Sequence, residues 1–248
     1  MKNHTLEVCV DSVASALAAS RGGADRLELC ADLVIGGTTP GIPLFREIRK
    51  YTDIPIHVLI RPRFGDFCYN EYELNTMCEE VRMFLSEGAK GIAVGILKPD
   101  GMLNMEQMET IIKAAKGMSV TLHRAFDVCL DPFQALKSAK ELGIHTILTS
   151  GQKGTCIAGW ELLKELVEYG KDELEILVAG GINADVIKEI YPLIKARAYH
   201  MSGKMIIDSQ MTYRRNEVNM GLFGLNEYEI WLTDENKVRE AKRVLEEL

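Results

Sequence analysis

The segment Leu6-Glu7-Val8-Cys9-Val10-Asp11 recurs 21 residues later as Leu27-Glu28-Leu29-Cys30-Ala31-Asp32. In both copies apolar residues alternate with Glu and Cys, which is the period-2 pattern of a β-strand with one apolar face. A helix-period stretch lies between the two copies, at 12–20. The pair therefore predicts two neighbouring parallel strands joined by a helix.

The same alternation of a short apolar run and a helix-period segment continues along the chain about eight times. The predicted strands are 5–10, 25–30, 55–61, 91–95, 119–125, 145–149, 175–179 and 197–202, and the predicted helices are 12–20, 42–51, 71–87, 104–116, 132–142, 158–169 and 183–190. No Pro/Ser-rich linker or change in composition interrupts this series. Eight such repeats predict an α/β fold, a closed (β/α)₈ TIM barrel.

Beyond the last predicted strand the rhythm stops. Residues 203–233 are predicted to be an irregular loop, and the charged segment 234–248 is predicted to be the eighth helix. We expect residues 1–248 to form one TIM-barrel domain. The alternative is a doubly wound open sheet, but no G-x-G-x-x-G follows the first strand, so a nucleotide cofactor is not expected.

Composition excludes several classes of function. With 29 basic and 36 acidic residues the formal charge is −7, which disfavours nucleic acids and anionic membranes as partners. No apolar run approaches the roughly 18 residues of a membrane span, and no signal-peptide pattern is present. The six cysteines contain no C-x-x-C pair, so we expect free thiols, no closed zinc site and a cytoplasmic location.

Strand alternation predicts which side chains point into the barrel. If the apolar residues pack against the helices, the inner faces carry a polar set: Glu7, Glu28, His57, Arg61, His123 and His200. One interpretation is an internal ion-pair network of Glu7, Glu28 and Arg61 that only fills the barrel. The other is an active site, because polar groups from several strands converge at the mouth.

Cys9 and Cys30 occupy equivalent positions in the repeated segment. Since neighbouring strands lie about 4.8 Å apart, the two thiols are predicted to be side by side near the mouth. Two thiolates at this range suit Cu(I), whereas the alternative is that two small residues fill a layer of the barrel.

Further candidates lie on the loops that follow the strands. His123 is a candidate base or metal ligand, with Asp127 or Glu28 orienting it. Arginine, glycine and hydroxyl groups at the rim predict an anion-binding site. The residues proposed for that site, besides Arg61, are Arg63, Ser150, Gly180, Gly181 and Ser202.

Six motifs in order resemble those of the CutC copper-homeostasis family. They are Leu27-Glu-Leu-Cys30, Gly36-Gly-Thr-Thr-Pro40, Arg61-Pro-Arg-Phe-Gly-Asp66, His123-Arg-Ala-Phe-Asp127, Leu148-Thr-Ser-Gly151 and His200-Met-Ser-Gly203. The resemblance implies a cytoplasmic, oligomeric (β/α)₈ barrel that handles copper, with Cu(I) bound through cysteine. It marks Cys30 as the metal thiol, with Cys9 as the second ligand. It also marks as site positions Glu7, Glu28, Arg61, His123, Asp127, Ser150, His200 and Ser202.

Two functions are therefore predicted. The first is a cytoplasmic copper-homeostasis protein that binds Cu(I) at Cys30, together with Cys9, and associates with copies of itself. The alternative is an enzyme of unassigned reaction on a small phosphate- or carboxylate-bearing substrate. Its acid–base residues would come from the set Glu7, Glu28, Arg61, His123, Asp127 and His200.

Overall fold

The chain folds into a closed barrel of eight parallel strands. The computed structural model describes residues 4–170, 173–215, 218, 220–221 and 224–248. The first strand pairs with both the second and the eighth, which closes the sheet and excludes the doubly wound alternative. The predicted TIM barrel is confirmed.

Each predicted strand and helix is present, with ends that differ by a few residues. The barrel strands are β1 (Thr5–Val10), β2 (Arg26–Leu29), β3 (Ile56–Leu59), β4 (Gly91–Val94), β5 (Ser119–Leu122), β6 (Thr146–Thr149), β7 (Glu175–Val178) and β8 (Ala198–Met201). The helices are α1 (Val13–Arg21), α2 (Ile42–Arg49), α3 (Glu71–Ser86), α4 (Met105–Ala115), α5 (Pro132–Glu141), α6 (Trp160–Gly170), α7 (Ala184–Ile194) and α8 (Glu235–Glu246). The charged C-terminal segment is thus the eighth helix, and it packs between α7 and α1.

The two faces of the first strand separate as the alternation predicts. Leu6, Val8 and Val10 are fully buried in the apolar layer between the barrel and its helices. Glu7 and Cys9 point to the inside, and Cys9 joins Cys30 in a small interior cluster. The apolar outer faces provide the burial energy of the fold, and the polar inner faces are left for the site.

The prediction that 203–233 is irregular is wrong at both ends of that segment. An antiparallel hairpin joins β9 (Lys204–Asp208) to β10 (Glu229–Thr233). It is held to the barrel by the Thr233 amide, which donates to the Ser15 hydroxyl at 3.1 Å, and by the Thr233 hydroxyl, which donates to the Ser202 carbonyl at 3.2 Å. Residues 216–217, 219 and 222–223 of the predicted loop lie outside the described residues.

No helix among the described residues has both the length and the apolar composition needed to cross a bilayer.

Two glycines in and after β4 make room for histidines of the neighbouring strands. A Cβ on Gly91 would lie 2.6 Å from His57 Nε2, and one on Gly95 would lie 2.7 Å from His123 Nδ1. Both distances are shorter than van der Waals contact, and both histidines are almost fully buried. The absence of two side chains on this strand therefore determines where the histidine rings lie.

We expect Gly91→Ala to destabilise the protein by about 1–3 kcal/mol, because the added methyl group overlaps the buried His57 ring. Urea unfolding followed by circular dichroism measures the loss. Gly154→Ala is the matched control, since nothing lies within 4 Å of a Cβ there and its stability should be unchanged. Combining Gly91→Ala with His57→Ala should cost less than the sum of the two single changes. Strict additivity would contradict the steric explanation.

Candidate functional site

The centre of the barrel mouth is organised around the buried carboxylate of Glu7. Its strand neighbours in register are Arg26 on β2 and His200 on β8. Arg26 Nε donates to Glu7 Oε2 at 2.5 Å, and His200 Nδ1 is 2.8 Å from Glu7 Oε1. The predicted counterion of Glu7 was Arg61, and this was wrong. Arg26 was missed, although it alternates in phase with Glu28 and so had to face inward.

Charge and burial act against each other at Glu7. Burial would raise the pKa of this carboxyl, but the hydrogen bond from His200 and the charges of Arg26 and His200 outweigh it and lower the pKa to about 2. Burial would likewise lower the pKa of His200, yet its interactions with Cys9, Glu7 and Glu28 raise it well above the ordinary value. The site therefore stabilises a positive charge at the position of the His200 ring.

The next layer of the barrel brings together Cys9, Glu28 and His200. Cys9 and Glu28 are partners in the β1–β2 register, and His200 Nε2 is 3.8 Å from Glu28 Oε2. One ligand atom from each residue lies within 4.8 Å of the others. Burial, followed by the charge of Glu7, raises the pKa of the Glu28 carboxyl, whereas His200 opposes this rise. Thiol, carboxylate and imidazole thus form a group of suitable size for one metal ion.

Cys30 lies next to Glu28 but is not a member of this group. Its side chain is fully buried, and its thiol is 3.6 Å from Glu28 Oε2. Burial and the charge of Glu28 raise the pKa of the Cys30 thiol well above its ordinary value. Cys30 shares a small interior cluster with Cys9, Leu59 and Ala93. The β1–β2 register places Cys9 beside Glu28 and not beside Cys30, so the two thiols are not side by side as predicted, and Cys30 is outside the three-residue group.

His57 is the inward residue of β3 and follows Glu28 in the strand register. It is 4% exposed, and its Nδ1 has no hydrogen-bond partner among the described residues. Burial and the charge of Arg26 lower the pKa of His57 to about 4. The ring is therefore neutral at neutral pH.

A cavity of about 500 Å³ opens above these residues at the carboxyl ends of the strands. Its wall includes Cys9, Glu28 and His200 on one side and Arg61 and His123 on the other. Arg61 does not pair with the two glutamates as the ion-pair interpretation required. Its guanidinium instead donates to carbonyl groups of the loops, and Arg26 on the adjacent strand neutralises Glu7.

Asp127 does not orient His123, so that prediction was wrong. The amide N–H of Ala125 donates to His123 Nδ1 at 3.1 Å, while Asp127 accepts from Arg124 Nε at 2.7 Å and from Ser150 Oγ at 3.0 Å. Asp127 also accepts from the Thr149 hydroxyl and from the amides of Ser150 and Gln152. This carboxylate holds the fifth and sixth loops together and is not free for catalysis.

Some of the predicted anion-binding residues line the cavity, and others lie away from it. Gly180, Gly181 and Ser202 line the cavity. Ser150 is fully buried and lies outside its wall. Arg63 donates to Asp66 Oδ1 at 2.9 Å and to Glu73 Oε1 at 2.5 Å, away from the cavity.

The hairpin supplies a part of the wall that the sequence did not reveal. Lys204 and Trp231 both line the cavity, and the Lys204 ammonium lies 2.9 Å from the centre of the Trp231 ring. The sequence pattern indicates a strand here only weakly. The apolar residues Ile230 and Leu232 flank this tryptophan, but the segment has few other strand markers.

Comparison with known proteins identifies relatives along almost the whole chain. The model of the CutC family matches residues 4–205. The "family protein CutC" of Histophilus somni is 37% identical over 98% of this chain and 99% of its own length. The human "copper homeostasis protein cutC homolog" is 39% identical over 94% of this chain and 86% of its own length. The structure of the Streptococcus agalactiae CutC protein superposes with a TM-score of 0.77 at 29% identity, covering 80% of this chain and 98% of that one.

Folding stability is expected to decrease as the pH falls below about 6.5. The pKa values of His57 and His123 are about 4 and about 3 in the folded protein, against an ordinary 6.5, so the unfolded chain binds more protons in this range. Each histidine makes the free energy of unfolding fall by up to about 1.4 kcal/mol for each pH unit below its unfolded-state pKa. Its contribution to stability is therefore fully present above pH 6.5 and is lost as the pH falls towards the folded-state pKa. Urea unfolding between pH 4.5 and 7.5 measures the slope. His57→Gln should reduce it, and an unchanged slope would contradict the buried neutral ring.

Arg26→Met should destabilise the protein by about 3 kcal/mol, because it leaves the Glu7 carboxylate buried with its main counterion removed. The control is Arg21→Met, which breaks an exposed ion pair to Glu235 on a side chain that is 60% exposed and should cost less than about 1 kcal/mol. Equal losses in the two variants, measured by urea unfolding at pH 7, would refute the central role of the Glu7–Arg26 pair.

Proposed function

This chain is a member of the CutC family, and we propose that it serves copper homeostasis by holding one copper ion as cargo in the barrel mouth. The observation that carries the proposal is the group of Cys9, Glu28 and His200, whose ligand atoms lie within 4.8 Å of one another. All three residues line the open cavity, so an ion can reach them from solvent.

The donor set suits copper. Thiolate sulfur selects Cu(I), and imidazole nitrogen is also a good copper ligand, whereas a site for Mg²⁺ or Ca²⁺ would consist of oxygen atoms alone. Cys30 was the thiol marked by the family resemblance. Its buried position next to Glu28, outside the three-residue group, supports a secondary role.

The orientation of His200 also supports metal binding. Glu7 Oε1 is hydrogen-bonded to Nδ1 of the ring, which leaves Nε2 on the side of Glu28 and the cavity. A carboxylate that holds one ring nitrogen while the other binds metal is a common arrangement in metalloproteins. Glu7 and Glu28 favour the protonated, positively charged form of His200. The same negative charges would favour a metal cation that replaces the proton on Nε2.

The cytoplasmic location and the association with further copies of the chain, expected from the thiols and from the resemblance, stay predictions. A cargo site inside a barrel mouth requires release as well as binding. The open cavity provides the path along which a partner chelator or a second protein can take the ion.

Cys9→Ser should weaken Cu(I) binding at least tenfold, because it removes the only sulfur in the three-residue group. Cys30→Ser should have a smaller effect. Affinity is measured anaerobically by competition with the Cu(I) chelator bicinchoninate. Cys78→Ser is the control, since this thiol is buried on α3 outside the barrel interior and should leave the affinity unchanged.

Two outcomes would overturn the proposal. One is a Cys9→Ser protein with wild-type Cu(I) affinity. The other is a site that takes Zn²⁺ in preference to Cu(I) when both are supplied with the same chelator. A larger loss in Cys30→Ser than in Cys9→Ser would instead transfer the main ligand role to the thiol that the family resemblance marks.

A further inference from the structure

Arg61 is a buried cation that has no counterion among the residues the structure describes. Its side chain is 8% exposed, and no described carboxylate forms an ion pair with it. Nη1 donates to the carbonyls of Gly36 and Gly37 at 3.3 and 3.0 Å, and Nη2 donates to the carbonyl of Gly65 at 3.0 Å. Nε is buried and has no partner among the described residues. A buried guanidinium satisfied only by carbonyl oxygens retains its full positive charge, which makes a bound anion favourable.

His123 supplies a second unused donor. Because the Ala125 amide donates to Nδ1, that nitrogen carries a lone pair, and the proton of the neutral ring is on Nε2. Nε2 is buried with no acceptor among the described residues, and the side chain is 4% exposed. Burial and the charge of Arg61 lower the pKa of His123 to about 3, so the ring does not become a cation at neutral pH.

Phe67 lies beside both side chains. The Arg61 guanidinium lies 5.0 Å from the centre of its ring, and the His123 ring lies 5.1 Å from the same centre. All three residues line the cavity at the mouth. Arg61 and His123, each held in place by loop backbone, therefore contribute to the wall of one cavity.

We propose that Arg61 and His123 bind the carboxylate of a small organic acid whose apolar body occupies the remainder of the mouth cavity. The pair presents one positive charge, which matches a monoanion. A phosphate dianion would place a second negative charge near the acidic group of Glu28 and Glu7. Apolar side chains line much of the same cavity, among them Leu33, Ile35, Leu59, Leu148, Ile182 and Trp231.

The size of the cavity agrees with such a ligand. Its volume of about 500 Å³ lies within the range of about 300–1,000 Å³ found for small-molecule sites. The acid site uses none of Cys9, Glu28 and His200. It goes beyond the proposed copper function and stands or fails independently of it.

The test is an NMR titration of the metal-free protein with three acids, acetate, butyrate and benzoate, and with their neutral amides acetamide, butyramide and benzamide. We expect at least one acid to bind saturably and at least tenfold more tightly than its amide, with shifts at amides of the mouth loops. Arg61→Lys should weaken this acid about tenfold, because lysine lacks the planar fork of donors. Arg46→Lys is the matched control, since that guanidinium pairs with Glu87 away from the cavity, and this variant should bind the acid within twofold of wild type.

A second variant protects the test against misfolding of the Arg61 loops. His123→Asn retains a side-chain acceptor for the Ala125 amide but removes the Nε2–H donor, so it should fold and bind the acid about fivefold more weakly. The proposal is overturned if none of the three acids binds or if the amides bind equally well. It is also overturned if phenyl phosphate binds more tightly than benzoate, or if both variants retain wild-type affinity. Cu(I) affinity should be unchanged in Arg61→Lys, which separates this result from that of the copper test.

Discussion

The buried carboxylate of Glu7 is the interaction on which the interior of this barrel depends. It lies on β1, the strand that closes the sheet, between Arg26 on β2 and His200 on β8. A buried charge of this kind is tolerated only when its partners are in place, so the register of all three strands is coupled to one ion pair and one hydrogen bond. The orientation of His200, and with it the geometry of the group formed by Cys9, Glu28 and His200, follows from this arrangement.

The second constraint on the barrel interior is the room that two glycines leave for the histidine rings. Gly91 at the start of β4 and Gly95 just after it carry no side chains, and the rings of His57 and His123 occupy the volume beside them. The result is a mouth with two chemically different sides. Cys9, Glu28 and His200 offer acid, thiol and imidazole ligands, whereas Arg61 and His123 offer N–H donors beside an aromatic ring. The proposed copper ion and the proposed organic acid therefore belong to different sides of one cavity.

Most of the fold could be predicted because it depends on local pattern. Alternation placed Leu6, Val8 and Val10 outside and Glu7 and Cys9 inside, and both assignments agree with the burial of these residues. The hairpin was missed because its strands expose apolar residues such as Ile206 and Ile230. Without a buried face, a strand has no distinct sequence pattern to recognise.

The barrel and the inward direction of the acids, the histidines and the two thiols Cys9 and Cys30 could be read from the chain alone, because each follows from side-chain direction along one strand. The partners of these side chains depend on how the chain packs in three dimensions. Arg26 rather than Arg61 neutralises Glu7, Asp127 holds two loops together instead of orienting His123, and Arg61 has no counterion within the described part of the chain. The physical reason is that pairing depends on the stagger between neighbouring strands and on loop paths, and neither is encoded in the alternation of a single strand.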